Sequence, residues 1–97
     1  MIVEAKNRVP FIDFGFGFTD KTVNAGDNFT VWVSGQFNEN NFVYSLSTNG
    51  SPTITKVSNF EYIVSYASAG TYNITANLVA KDKRKSLISN TITINVI

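Results

Sequence analysis

The chain is 97 residues long, 43% hydrophobic and 13% aromatic, with a formal charge of +1 and only 15% charged residues. That length holds one domain with one core. Neither cysteine nor histidine occurs, which excludes disulfides, thiolate metal sites and the commonest general base, and the near-neutral charge gives no global field for nucleic acid or membranes. Asn, Ser and Thr supply the polar surface, a composition that suits strand faces and turns better than helices.

Taken from the start, residues 1–10 carry an acid at Glu4 and no continuous apolar run, so they do not read as a signal peptide. No segment reaches the roughly 20 apolar residues of a membrane span. Two origins are expected: a small free-standing protein kept inside the cell, or one domain cut from a longer secreted chain. Next comes Pro10-Phe11-Ile12-Asp13-Phe14-Gly15-Phe16-Gly17-Phe18, in which Ile12, Phe14, Phe16 and Phe18 alternate with Phe11, Asp13, Gly15 and Gly17. It reads either as a first strand whose aromatic face caps the core, or as an arm whose Phe11, Phe14, Phe16 and Phe18 bury against a neighbouring subunit.

Strand signals then recur every 8–12 residues, the rhythm of an all-β sandwich. Phe29, Val31 and Val33 share one face opposite Trp32; Phe42, Tyr44 and Leu46 oppose Val43, Ser45 and Ser47. The turn signal Thr48-Asn49-Gly50-Ser51-Pro52 follows. A short strand is expected over 53–57 and another over 60–66, with Phe60, Tyr62 and Val64 alternating against Glu61, Ile63 and Ser65. The strand over 71–80 sets Tyr72, Ile74, Ala76 and Leu78 against polar neighbours. Residues 81–86 form a solvated hairpin tip, and 87–97 close the fold with Ile92, Ile94 and Val96 inward. The total is about seven strands, counting one from the N-terminal region.

Gly70 followed by Tyr72 has its own meaning. A tyrosine at the head of a strand can send its ring inward while its hydroxyl reaches back to the preceding backbone, the tyrosine corner of Greek-key sandwiches. With it, the runs Val23-Asn24-Ala25-Gly26-Asp27-Asn28-Phe29, Tyr66-Ala67-Ser68-Ala69-Gly70-Thr71-Tyr72-Asn73-Ile74 and Thr91-Ile92-Thr93-Ile94-Asn95-Val96 resemble a PKD-type domain of the immunoglobulin-like superfamily. The resemblance implies a Greek-key β-sandwich over 23–97, preceded by an arm or first strand over 1–22. Two departures stand out. Where the family usually carries a Trp-Asp-Phe-Gly-Asp-Gly-type run, this chain has Tyr44-Ser45-Leu46-Ser47-Thr48-Asn49-Gly50, without either acid, and Ile74 holds the place of the second immunoglobulin cysteine. The superfamily hosts many unrelated functions, so no activity follows from it.

No reaction can be read from the residues. The acids Glu4, Asp13, Asp20, Asp27, Glu39, Glu61 and Asp82 are scattered, without calcium-loop or glycosidase spacing; the nearest approach to a cation site is Asp20 with Asp27. The serines have no histidine or Ser-x-x-Lys motif to activate them. No catalytic residue, metal or cofactor is therefore expected. Lys83, Arg84 and Lys85, with Lys81, cluster at one tip diluted by Asp82, and read as a solvated loop or as a contact for an anionic surface. No aromatic is interleaved there to stack bases, which argues against nucleic acid. Trp32 is a candidate for glycan stacking or protein contact. The sequons at Asn28, Asn49 and Asn73 are read as chance occurrences.

The expected function is that of a non-enzymatic structural or binding module. A small sandwich with an aromatic arm is similar to the accessory proteins that decorate bacteriophage particles, which implies docking on a capsid or other large assembly through the arm, location on the virion, and loops 37–41, 49–53 and 81–86 facing outward. The alternative is an Ig-like repeat of a secreted bacterial adhesin or carbohydrate-active enzyme, placed outside the cell or on its surface as a spacer or a glycan-binding module.

Overall fold

In a computed structural model, residues 10–34 and 41–97 are described. The described residues are all-β and form nine strands: β1 (Phe11–Asp13), β2 (Asp20–Val23), β3 (Asn28–Ser34), β4 (Phe42–Thr48), β5 (Thr53–Lys56), β6 (Glu61–Ser65), β7 (Gly70–Ala80), β8 (Ser86–Ile88) and β9 (Ile92–Val96). They build two sheets. One runs β1-β3-β6-β5; the other runs β2-β9-β7-β4, with β8 also paired to β7. Pairing is antiparallel except between β2 and β9, which run parallel.

Alternation explains most of this. Phe29, Val31 and Val33 of β3 and Tyr62 and Val64 of β6 point into one core, where they meet Tyr44 of β4, Ile74, Ala76 and Leu78 of β7, and Ile92, Ile94 and Val96 of β9. Ile12 of β1 is fully buried in the same cluster. Burying side chains of this size stabilises by roughly 1.5–3 kcal/mol each. Lys56 ties the two sheets together, since its Nζ donates to Tyr44 O at 2.7 Å.

The expected seven strands become nine at two places. The N-terminal region supplies two short strands, one to each sheet. The last expected strand is broken into β8 and β9 by one extra residue. Leu78 faces Leu87 and Ile74 faces Ile92, so four steps along β7 match five along its partner. This is a β-bulge, which bends a strand and re-aims a side chain. Inside it the Ala76 N–H donates to Ser89 Oγ at 2.7 Å, and the Ser89 N–H donates to Ala76 O at 2.9 Å.

The bulge turns Asn90 toward β1. Ile12 N–H donates to Asn90 Oδ1 at 2.8 Å, and Asn90 Nδ2 donates to Ile12 O at 3.0 Å. One side-chain amide thus occupies both main-chain groups on the outer edge of β1, an edge that would otherwise invite pairing with another strand. The same clip fixes where the chain leaves β1 and enters the aromatic segment.

Candidate functional site

The expected shared face of Ile12, Phe14, Phe16 and Phe18 does not exist in the structure. β1 stops at Asp13. The Asp13 carboxylate accepts the N–H groups of Gly15 (3.1 Å) and Gly17 (2.9 Å). The turn is closed by Phe14 N–H donating to Phe18 O at 2.8 Å and Phe18 N–H donating to Gly15 O at 3.1 Å. A short acceptor that bonds backbone a few residues on is a standard turn device, and here it wins over strand alternation.

Three consecutive residues, Gly15, Phe16 and Gly17, take positive φ angles of 109°, 54° and 82°. The left-handed region is free to glycine but costs a bulky residue on the order of 1–3 kcal/mol. Phe16 meets that cost while its ring, at 101% relative exposure, gains no burial within the chain.

The four phenylalanines separate accordingly. Phe14 turns inward and meets Phe29 edge-on, with ring centroids 5.7 Å apart. Phe16 and Phe18 project into solvent, and Phe11 is partly exposed on the outer face of β1. Trp32 lies beside the turn: a Cβ added at Gly15 would come within 3.8 Å of Trp32 Nε1. Phe11 and Trp32 are thus diagonal neighbours on the outer face of β1 and β3, and the turn that carries the exposed Phe16 and Phe18 passes beside Trp32 at Gly15. In register, Trp32 is directly opposite Asp13 on one side and Glu61 on the other. Exposed apolar patches of this kind mark contact surfaces more often than they occur by chance on a monomer.

Lys83, Arg84 and Lys85 lie outside this patch, in the tip joining β7 to β8. The tip is ordered by Ala80 N–H donating to Lys85 O, Lys83 N–H donating to Ala80 O (both 2.8 Å), and Arg84 N–H donating to Asp82 Oδ1 at 3.0 Å. Lys83 takes φ +64° within it. Of the loops expected to face outward, residues 37–40 lie outside the described residues, as do residues 1–9 of the expected arm.

At the opposite end of β7, the Tyr72 hydroxyl donates to Ser68 O at 2.8 Å. Its ring stacks on Tyr66 with centroids 3.9 Å apart and planes within 7°. Gly50, at φ +81°, lies against this stack; an added Cβ there would fall on the Tyr72 ring, 3.1 Å from Tyr66 Cε1. Tyr66 stacks in turn on Phe29, at 6.3 Å between centroids. An aromatic column thus runs from Gly50 through the core to Phe14 at the base of the exposed turn. It supports the turn and offers no chemistry of its own. Burial, reinforced by the neighbouring Tyr72, pushes the Tyr66 phenol up to about 12. Burial and the nearby Tyr44 do the same to Tyr62.

Asp13 and Glu61 gain their meaning only in three dimensions. The spacing Asp-x-Gly-x-Gly was the available signal for the turn; nothing local marks Glu61. Among the described residues no group of three or more His, Cys, Asp or Glu side chains could hold a metal ion, and no helix is long and apolar enough to cross a membrane. No family model matches this chain, nor does any curated protein or solved structure.

Proposed function

We propose that the chain is a non-enzymatic docking module that binds a protein partner through the aromatic turn at residues 13–18 and the adjoining Trp32. The observation that carries this reading is Phe16, a bulky residue held in a left-handed conformation with its ring wholly in solvent. The turn's hydrogen bonds hold this conformation, but a bulky ring kept there with no burial in return points to a role outside the chain. Burying Phe16 and Phe18 on a partner would contribute roughly 2 kcal/mol each. We further read the frame as an immunoglobulin-like, PKD-type Greek key. The order β1-β3-β6-β5 against β2-β9-β7-β4, the N-terminal region divided between the sheets and the Tyr72–Ser68 bond all favour that topology. The setting that suits such a module is a large repetitive assembly, with a bacteriophage particle as the proposed site.

The test is co-sedimentation with purified particles from the source. Wild-type chain should bind saturably, and Phe16→Gly combined with Phe18→Ala should weaken binding at least tenfold. The same Phe16→Gly change relieves the backbone and is expected not to lower stability in urea. Equal binding by the variant would remove the turn from the docking surface.

A second reading is favoured by Trp32, which is 42% exposed with Asp13 and Glu61 opposite it in register: an exposed flat ring with acidic neighbours suits a sugar, as in a glycan-binding repeat of a secreted protein. Since Trp32 is the single tryptophan, its fluorescence should shift saturably with polysaccharide if that reading holds, and stay flat if the surface binds protein.

A further inference from the structure

The outer surface of β1, β3 and β6 differs in charge from that of β4, β7 and β8. On β1, β3 and β6 the outward positions at the Trp32 row hold Asp13, Trp32 and Glu61, with Phe11 one diagonal step away. No outward position of β1, β3, β5 or β6 holds a lysine or arginine, since Lys56 is turned to Tyr44 O. This face is aromatic and acidic.

On the other sheet Val43 stands directly opposite Val79, and Ile88 lies diagonally across from Val79 on β8. All three are exposed, Ile88 to 62%. Directly beyond them is the ordered tip with Lys81, Lys83, Arg84 and Lys85. No outward position of β4, β7 or β8 holds an acid. This face is aliphatic and basic.

The two surfaces also lie at one level of the sandwich. The Phe60 ring, next to Glu61, meets the Tyr44 ring edge-on at 5.5 Å, and Tyr44 pairs with Leu78. The two sheets meet there through Phe60 and Tyr44, one position along from Glu61 and from Val43. Two complementary surfaces set back to back on one chain fit a second copy displaced across the sheets.

We propose that the occupant of the acidic aromatic face is a second copy of this chain, presenting its basic tip and valine pair. In this contact Arg84 of the incoming copy stacks on Trp32 between Asp13 and Glu61, joining cation–π attraction to two charge pairs. The proposal takes from the docking reading above only that the Trp32 face is a contact surface, and it names a partner for that face. Because the surfaces differ, the contact is heterologous; unless the rotation closes a ring, it adds copies in a row.

The test is sedimentation velocity on the purified chain and two variants. Wild type should show mass rising with concentration at 0.05 M salt, with association weakened about tenfold or more at 0.5 M as the charges are screened. Trp32→Ala/Glu61→Gln removes the acidic face, and Arg84→Gln/Lys85→Gln removes the basic one. Each should be monomeric alone, while their mixture should give a 1:1 dimer and nothing larger, because one intact surface of each kind remains. A wild-type chain that stays monomeric at low salt overturns the proposal, as do variants that associate like wild type or a mixture that stays monomeric. If wild type is monomeric yet Phe16→Gly/Phe18→Ala loses particle binding, the docking reading stands and this one falls. If wild type associates while that variant binds particles normally, the reverse holds.

Discussion

Tyr66 and Tyr72 stack face to face, yet their hydroxyls meet opposite fates. That of Tyr72 bonds Ser68 O; those of Tyr66 and Tyr62 are buried without a hydrogen-bond partner among the described residues. A made bond contributes about 1 kcal/mol, whereas a buried unpaired hydroxyl costs about 1–3 kcal/mol. The same Tyr→Phe change should therefore have opposite signs: Tyr72→Phe loses about 1 kcal/mol, and Tyr66→Phe or Tyr62→Phe gains about 1 kcal/mol. Urea midpoints read the difference, with unchanged slopes expected. Alkaline pH supplies a second reading. Both buried phenols are raised from 10.0 to about 12, so the native state holds its protons where the unfolded state releases them. The stability is fully present below pH 10 and is lost as pH rises from about 10 to about 12. The double variant Tyr62→Phe/Tyr66→Phe should flatten that fall. Gly50→Ala should cost about 2 kcal/mol or more, because it places a methyl on the Tyr72 ring in a left-handed backbone.

Among the elements, β3, β4, β6 and β7 were legible in the sequence because each buries one face and alternation has no competitor over their length. The aromatic segment was not. Phe14, Phe16 and Phe18 keep the alternating pattern past Asp13, and only the Asp13 carboxylate, by taking the Gly15 and Gly17 N–H groups, ends the strand. Glycine on both sides of Phe16 is what makes that local bond affordable. The bulge did leave a trace: inward positions run odd through Leu87 and Ser89, then even from Ile92 to Val96. A change of parity within one strand requires an extra residue. What no local pattern could carry is the reach of Asn90 to Ile12, 78 positions away, or the meeting of Trp32 with Asp13 and Glu61 across three strands. Asn90→Leu should cost about 1–3 kcal/mol by leaving both Ile12 groups unpaired, and should speed amide exchange at Ile12 well before β7 is affected. Exchange at Ile12 as slow as in wild type would show that the clip is dispensable.

For the molecule as a whole, the N-terminal region is shared between the sheets: Ile12 belongs to the core, and β2 pairs with β9. Residues 11–23 should unfold with the rest. Trp32 fluorescence, which reports from beside the turn, and far-UV circular dichroism should give coincident thermal transitions. An earlier fluorescence transition would mark the turn as a separate unit.

The parallel pairing of β2 with β9 has one more consequence. Asp20–Val23 runs alongside Thr93–Val96 in the same direction, and the row is extended by Thr93 N–H donating to Thr19 O and Ile97 N–H donating to Val23 O. Tension that pulls the N-terminal strand backward and the C-terminal strand forward slides these neighbours past each other. The rungs then carry the load together, where a hairpin would peel open one rung at a time. Pulled by its two ends, the β2–β9 pair is expected to yield in shear, as one rupture rather than a stepwise peel in single-molecule force spectroscopy.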